Sequence, residues 1–78
     1  MRYQLDLVLR HAEGALVRVL GTAERRGFRT IALQGDTRAD TDRWQLRMTV
    51  EGARSQDALQ QQLAKLHDCL SVQVLPCP

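Results

Sequence analysis

The chain has 78 residues, which sets it near the lower size limit for a self-sufficient core and allows one domain over residues 1–78. Its net charge is only +2, and the eleven basic residues, nearly all arginine, are scattered, which argues against a nucleic-acid or anionic-membrane footprint. No apolar run approaches the roughly 18 residues of a membrane span, and no basic-plus-apolar leader precedes Tyr3, so the chain reads as cytoplasmic.

Residues 3–9, "YQLDLVL", alternate: Tyr3, Leu5, Leu7 and Leu9 share one face, with Gln4 and Asp6 on the other. That is the period of a half-buried strand. Residues 14–26 carry Leu16, Val19, Leu20 and Ala23 at helical spacing, with Arg18, Glu24 and Arg25 outside the stripe. Gly27 follows as a helix C-terminal glycine. The start of this helix has no Ser, Thr, Asp or Asn to cap it and has Gly14 where the first turn should begin. "FRTIALQG" predicts a second strand with Ile31 and Leu33 inward and Thr30, Ala32 and Gln34 outward, and residues 35–42, "GDTRADTD", predict a hairpin loop.

"RWQLRMTV" reads as a third strand with Trp44, Leu46, Met48 and Val50 inward. Ser55 or Asp57 can open a second helix with the stripe Leu59, Leu63, Leu66 and Leu70. "SVQVL" predicts a short fourth strand that ends at Pro76. The order βαββαβ, with alternating strands and amphipathic helices, points to an α+β fold. Its economical architecture is the ferredoxin-like one, a four-stranded antiparallel sheet with both helices on one face.

That plan hosts many functions, so the choice rests on residues. RNA-recognition modules need aromatic side chains on the open sheet face, where this chain has Gln45, Arg47 and Thr49. Metal-carrying versions need a CxxC in the first loop, and "RHAEG" has no cysteine. Arg10 lies near the place where acylphosphatase-like enzymes hold phosphate, but the glycine-rich surroundings of that loop are missing. His67, Asp68 and Cys69 are adjacent in sequence, yet neighbours at a helix-to-strand turn usually diverge, so a nucleophilic site there is disfavoured. His67 reads as an exposed helix-end residue, Cys69 as a small buried apolar one and Cys77 as exposed, the two cysteines being free thiols. A regulatory or interaction module remains. In it, Gly14 either turns the chain or opens a helix start to the close approach of an anion or a partner, and the residues alone allow both.

Two stretches go further. "EGALVRVLGTAERRGFRTIAL" resembles the first motif of the small regulatory subunits of acetolactate synthase, G-A-L-x-R-V followed by a helix ending R-R/H-G-F/Y and a strand. "LQQQLAKLHDCLSVQVL" resembles their second signature, Q-L-x-K-L-x-D-V before the closing strand. The resemblance covers residues 3–75 and implies an ACT domain, the fold derived above.

It also implies a non-catalytic subunit that binds and activates a large catalytic subunit in branched-chain amino-acid synthesis, the route to isoleucine and valine. No cofactor is then expected on this chain; thiamine diphosphate, magnesium and FAD belong to the catalytic partner. The resemblance further implies a homodimer through the edge of the second strand. An effector would lie between the loop before the first helix and the start of the neighbour's second strand. Carried over, the candidate effector residues are His11, Glu13, Gly14, Ala15, Arg29 and Thr30. Gly14 matches the family pattern, whereas His11 and Arg29 replace asparagines and Glu13 replaces a serine. These departures, with a chain as short as the small subunit of the second isozyme, imply weak or absent valine feedback. The alternative is a free-standing ACT module that senses another amino acid at a dimer interface.

Overall fold

A computed structural model describes residues 1–37 and 42–77. Its elements are β1 (Arg2–Arg10), α1 (Ala15–Arg25), β2 (Arg29–Thr37), β3 (Arg43–Glu51), α2 (Gln56–Ala64) and β4 (Cys69–Pro76). The strands form one antiparallel sheet in the order β2-β3-β1-β4. The ferredoxin-like expectation therefore holds. β1 and β3, richest in alternating apolar residues, occupy the centre, where both neighbours pair with them.

The core lies between one face of the sheet and the two helices. Leu5, Leu7 and Leu9 of β1 and Leu46, Met48 and Val50 of β3 are buried against Ala15, Val19 and Ala23 of α1 and Leu59 and Leu63 of α2. Phe28, buried between α1 and β2, meets Tyr3 edge-on with ring centroids 6.1 Å apart. It also closes the helix. Phe28 N–H donates to Ala23 C=O and Gly27 N–H to Glu24 C=O, each at 3.0 Å, with Gly27 at φ +88°. This is a Schellman motif, and its left-handed position is the reason for a glycine there. At the other helix, Ser55 is the cap and its Oγ accepts from Asp57 N–H at 3.1 Å.

The second strand departs from its predicted phase. Thr30 pairs with Val50 and Ala32 with Thr49, so Ile31 is an extra residue in a bulge. The inserted residue switches the phase of the strand at Ile31: residues after it keep the predicted faces, with Ala32 opposite Thr49 and Leu33 opposite Met48, and the disagreement falls before it. Thr30, expected outward, therefore faces the core side, and Ile31, expected inward, is 42% exposed. Leu33 shares a face with Met48 but remains 43% exposed because β2 is an outer strand. The strand also continues through Thr37, so residues 35–37 are not loop; the rest of the predicted loop up to residue 41 lies outside the described residues.

Gly35 is in register with Leu46, and a Cβ there would meet Trp44 Nε1 at 2.8 Å and Leu46 Cδ1 at 2.9 Å. The missing side chain gives the Trp44 indole room to lie across the outer strand. The stripe predicted for α2 is also shorter than expected. The helix ends at Ala64, and Leu66 follows it in a turn closed by Cys69 N–H to Leu66 C=O at 3.0 Å. Leu70 is 39% exposed on β4, which begins two residues before the predicted strand and includes Pro76.

Candidate functional site

The loop before α1 is held by backbone bonds on both sides. Arg10 N–H donates to Asp68 C=O at 2.7 Å, and His11 N–H donates to Asp42 C=O at 2.8 Å. Ala12 N–H turns back to Arg10 C=O at 2.8 Å. The His11 ring stands edge-on to Trp44, with centroids 6.1 Å apart. Glu13 is exposed and Ala15 is buried.

Gly14 is the N-cap of α1, at φ +78°, and no side chain caps the helix. The left-handed conformation explains the glycine: an L side chain is strained there. A Cβ would also meet Arg18 Nη1 at 2.8 Å. Arg18, one turn into the helix, folds back over Gly14. Its Nη2 donates to Glu13 C=O at 2.9 Å, and its Nε donates to Asp68 Oδ2 at 2.8 Å, with Nη2 on the same oxygen. Asp68 is buried, so its carboxylate relies on this guanidinium for compensation. Helical spacing puts Arg18 simply outside the apolar stripe, and adjacency in a helix-to-strand turn says only that Asp68 diverges from His67 and Cys69, so neither reading predicts this contact. The signal that identifies the two together is positional: Arg18 is the arginine of the first signature and Asp68 the aspartate of the second.

Arg29 and Thr30 lie at the other end of α1, an 11-residue helix about 16 Å long. Within one chain they do not meet His11, Glu13, Gly14 or Ala15. Arg29 Nη2 instead donates to Glu51 Oε1 at 3.3 Å, while Arg2 Nε donates to Glu51 Oε2 at 2.9 Å. The Arg2 hydrogen bond, aided by the charges of Arg2 and Arg29, holds the Glu51 carboxyl below its ordinary range. Thr30 Oγ1 is buried and has no hydrogen-bond partner.

His67, Asp68 and Cys69 do diverge. His67 is exposed, Asp68 turns in to Arg18, and Cys69 Sγ donates to Ser71 C=O at 3.4 Å. Cys69 is half-buried, and that burial pushes its thiol pKa up. Cys77, expected exposed, is also half-buried because its N–H is tied to Arg2 C=O at 3.1 Å. Both cysteines are free. Among the described residues, no group of three or more His, Cys, Asp or Glu is placed to hold a metal ion, and no helix is long and apolar enough to cross a membrane.

A family model of the ACT domain matches residues 11–72, from the loop before α1 into β4. The chain belongs to the ACT-domain family. ACT domains are regulatory modules, generally amino-acid sensing, so the family agrees with a non-enzymatic role. No curated protein sequence matches this ACT domain.

Solved structures show the same fold. Formyltetrahydrofolate deformylase from Burkholderia mallei superposes with a TM-score of 0.77 at 16% identity, over 97% of this chain and 28% of that one. The ACT domain thus spans little more than a quarter of that enzyme. The ACT domain of GTP pyrophosphokinase from Chlorobium tepidum superposes with a TM-score of 0.75 at 12% identity, covering 96% of this chain and 97% of that one. The C-terminal domain of the MgtC protein of Mycobacterium tuberculosis gives a TM-score of 0.68 at 14% identity, over 94% and 83% of the two chains.

Proposed function

We propose that this ACT domain is a non-catalytic regulatory subunit that binds and activates the catalytic subunit of acetolactate synthase, with weak or no valine feedback. Thiamine diphosphate, magnesium and FAD belong to that partner in this reading. The observation that carries it is the contact between Arg18 and Asp68. The arginine of "GALVRV" and the aspartate of "QLAKLHDC" lie 50 residues apart and build one feature, the brace of the α1 start.

The weak valine response is supported at the positions that depart from the family pattern. His11 is engaged with Trp44, and Arg29 is drawn to Glu51. Neither side chain offers the neutral amide that an asparagine would.

A homodimer through β2 completes the proposal. Its edge carries exposed Ile31 and Leu33, whereas at the opposite edge Gln60 Nε2 already donates to Val72 C=O at 3.4 Å. In this proposal a two-fold antiparallel pairing of β2 strands brings the start of the neighbour's β2 toward the end of this one at Thr37. Thr37 pairs with Trp44, on which His11 rests, so in this proposal the dimer brings the two halves of the candidate effector site to the same end of the joint sheet.

Co-purification with a candidate catalytic subunit, followed by a pyruvate-condensation assay with and without this chain, tests the proposal. A complex with raised activity is expected. No complex and no gain overturns the reading.

The buried, unpartnered Thr30 Oγ1 favours a second reading, a free-standing module that senses another amino acid at the same dimer interface. A ligand reaching that hydroxyl would satisfy it. A thermal-shift screen of amino acids separates the two, because stabilisation grows with ligand concentration over Kd. One amino acid that raises the midpoint, with no catalytic partner recovered, supports the sensor.

A further inference from the structure

Arg10 ends β1 and Arg43 begins β3, and the two are directly opposite each other in the ladder. Leu9 points into the core and Trp44 lies on the core side, so both arginines are on the open face of the sheet. Like charges directly opposite on one face of an antiparallel pair are destabilising. Elsewhere on that face the chain relieves its arginines: Arg2 and Arg29 share Glu51, and Arg47 pairs with Asp6. Among the described residues, neither Arg10 nor Arg43 is in an ion pair.

The same two residues line a recess of about 370 Å³, together with His11, Ala12, Asp42 and Leu70. Its floor is fixed, because Arg10 N–H is bound to Asp68 C=O and His11 N–H to Asp42 C=O. Among the described lining residues Asp42 is the single acid, against two guanidinium groups. Half-exposed Leu70 adds an apolar wall.

We propose that Arg10 and Arg43 form a binding site for a small oxyanion, a carboxylate or phosphate group, held between the two guanidinium groups at the end of the sheet. One oxyanion there turns a repulsive pair into two charge-assisted contacts. A backbone pinned on both sides fixes where the two side chains start, so the ordering cost of binding is confined to the arginine side chains themselves. The recess shares His11 with the loop before α1, but its two arginines belong to neither the Gly14 helix start nor the β2 edge, and it stands whether or not the catalytic-partner reading holds.

The test follows amide spectra of the full chain while inorganic phosphate, acetate or butyrate is titrated at fixed ionic strength. Saturable shifts are expected at Arg10, His11, Arg43 and Leu70. Arg10→Gln and Arg43→Gln should each weaken phosphate binding at least about tenfold, whereas Arg54→Gln, at the opposite end of the sheet, leaves it unchanged. Butyrate binding more tightly than phosphate assigns an organic acid that uses Leu70; the reverse order assigns a phosphate. In anion-free buffer Arg43→Gln should also raise the unfolding midpoint, since it removes a like-charge neighbour. Shifts that never saturate, or affinities that Arg10→Gln and Arg43→Gln leave at the wild-type value, overturn the site.

Discussion

Asp68 is buried at the end of the chain's second signature, and the guanidinium of Arg18 reaches it from the first turn of α1. The same aspartate takes Arg10 N–H on its carbonyl, so one residue anchors the end of β1, the start of α1 and the start of β4. The two partners differ in exposure, with 49% of the Arg18 side chain exposed against 9% for Asp68. Removing the arginine strands a buried carboxylate, whereas removing the carboxylate leaves an arginine that can turn to water. Arg18→Leu should therefore destabilise the chain by about 1–3 kcal/mol and Asp68→Asn by less. Urea unfolding of both variants checks the order, and an equal or reversed pair of losses would contradict it.

Gly14 and Arg18 are coupled through space. A Cβ at Gly14 meets Arg18 Nη1 at 2.8 Å, in a backbone conformation at φ +78°. Gly14→Ala should cost about 1–2 kcal/mol from the backbone alone, with a further loss from displacing the guanidinium off Asp68. That second part disappears when Arg18 is already Leu. A double-mutant cycle should then give a coupling of about 0.5 kcal/mol or more. Strict additivity would mean that Arg18 gives way without cost.

These two residues also mark how far the sequence could be read. Strict alternation in β1 and β3 gave their faces correctly, because a central strand has a helix on one side and solvent on the other. In β2 the same reading failed at Ile31, since a one-residue bulge inverts the phase and leaves no compositional trace. The leucine spacing of α2 ran on to Leu66 and Leu70, beyond the helix end, because backbone bonds to Asp68 and Leu66 claim the chain there. At the candidate site, Gly14 was visible as an uncapped helix start. Its Arg18–Asp68 brace was not, because a contact across 50 residues has no local period.

The bulge bears on the proposed dimer. Ile31 and Leu33 leave β2 with exposed apolar side chains on an outer strand, a pairing template that natural sheets usually blunt. Leu33→Lys should convert a dimer to a monomer while the circular-dichroism spectrum stays that of the wild type. Sedimentation at matched concentrations reads the outcome. A Leu33→Lys protein that remains dimeric with unchanged affinity places the interface elsewhere.

Cys69 gives a prediction of reactivity. Burial disfavours its thiolate and raises the thiol pKa above the ordinary 9.0. Since the thiolate is the nucleophile, Cys69 should react with a disulfide reagent at pH 8 more slowly in the folded chain than in urea. Cys77→Ser isolates the Cys69 signal. Equal rates in the two states would show that burial does not suppress the thiolate.

Glu51 sets an acid limit that can be worked out in sign. Its carboxyl pKa is lowered from the ordinary 4.5, chiefly by the hydrogen bond from Arg2, so folding favours the ionised form. A group with a lowered folded-state pKa contributes stability that is present above its unfolded pKa. That contribution is lost as pH falls through the folded value. Glu51→Gln should therefore unfold at lower urea than wild type at pH 7, with the gap closing progressively below about 4.5. Arg2→Gln removes the first cause and should narrow the same gap from the other side. The carboxylate is at the surface, so the effect is small and shrinks with salt. A gap between wild type and Glu51→Gln that is constant from pH 7 down to pH 3 would assign the loss to packing of the side chain instead of its charge.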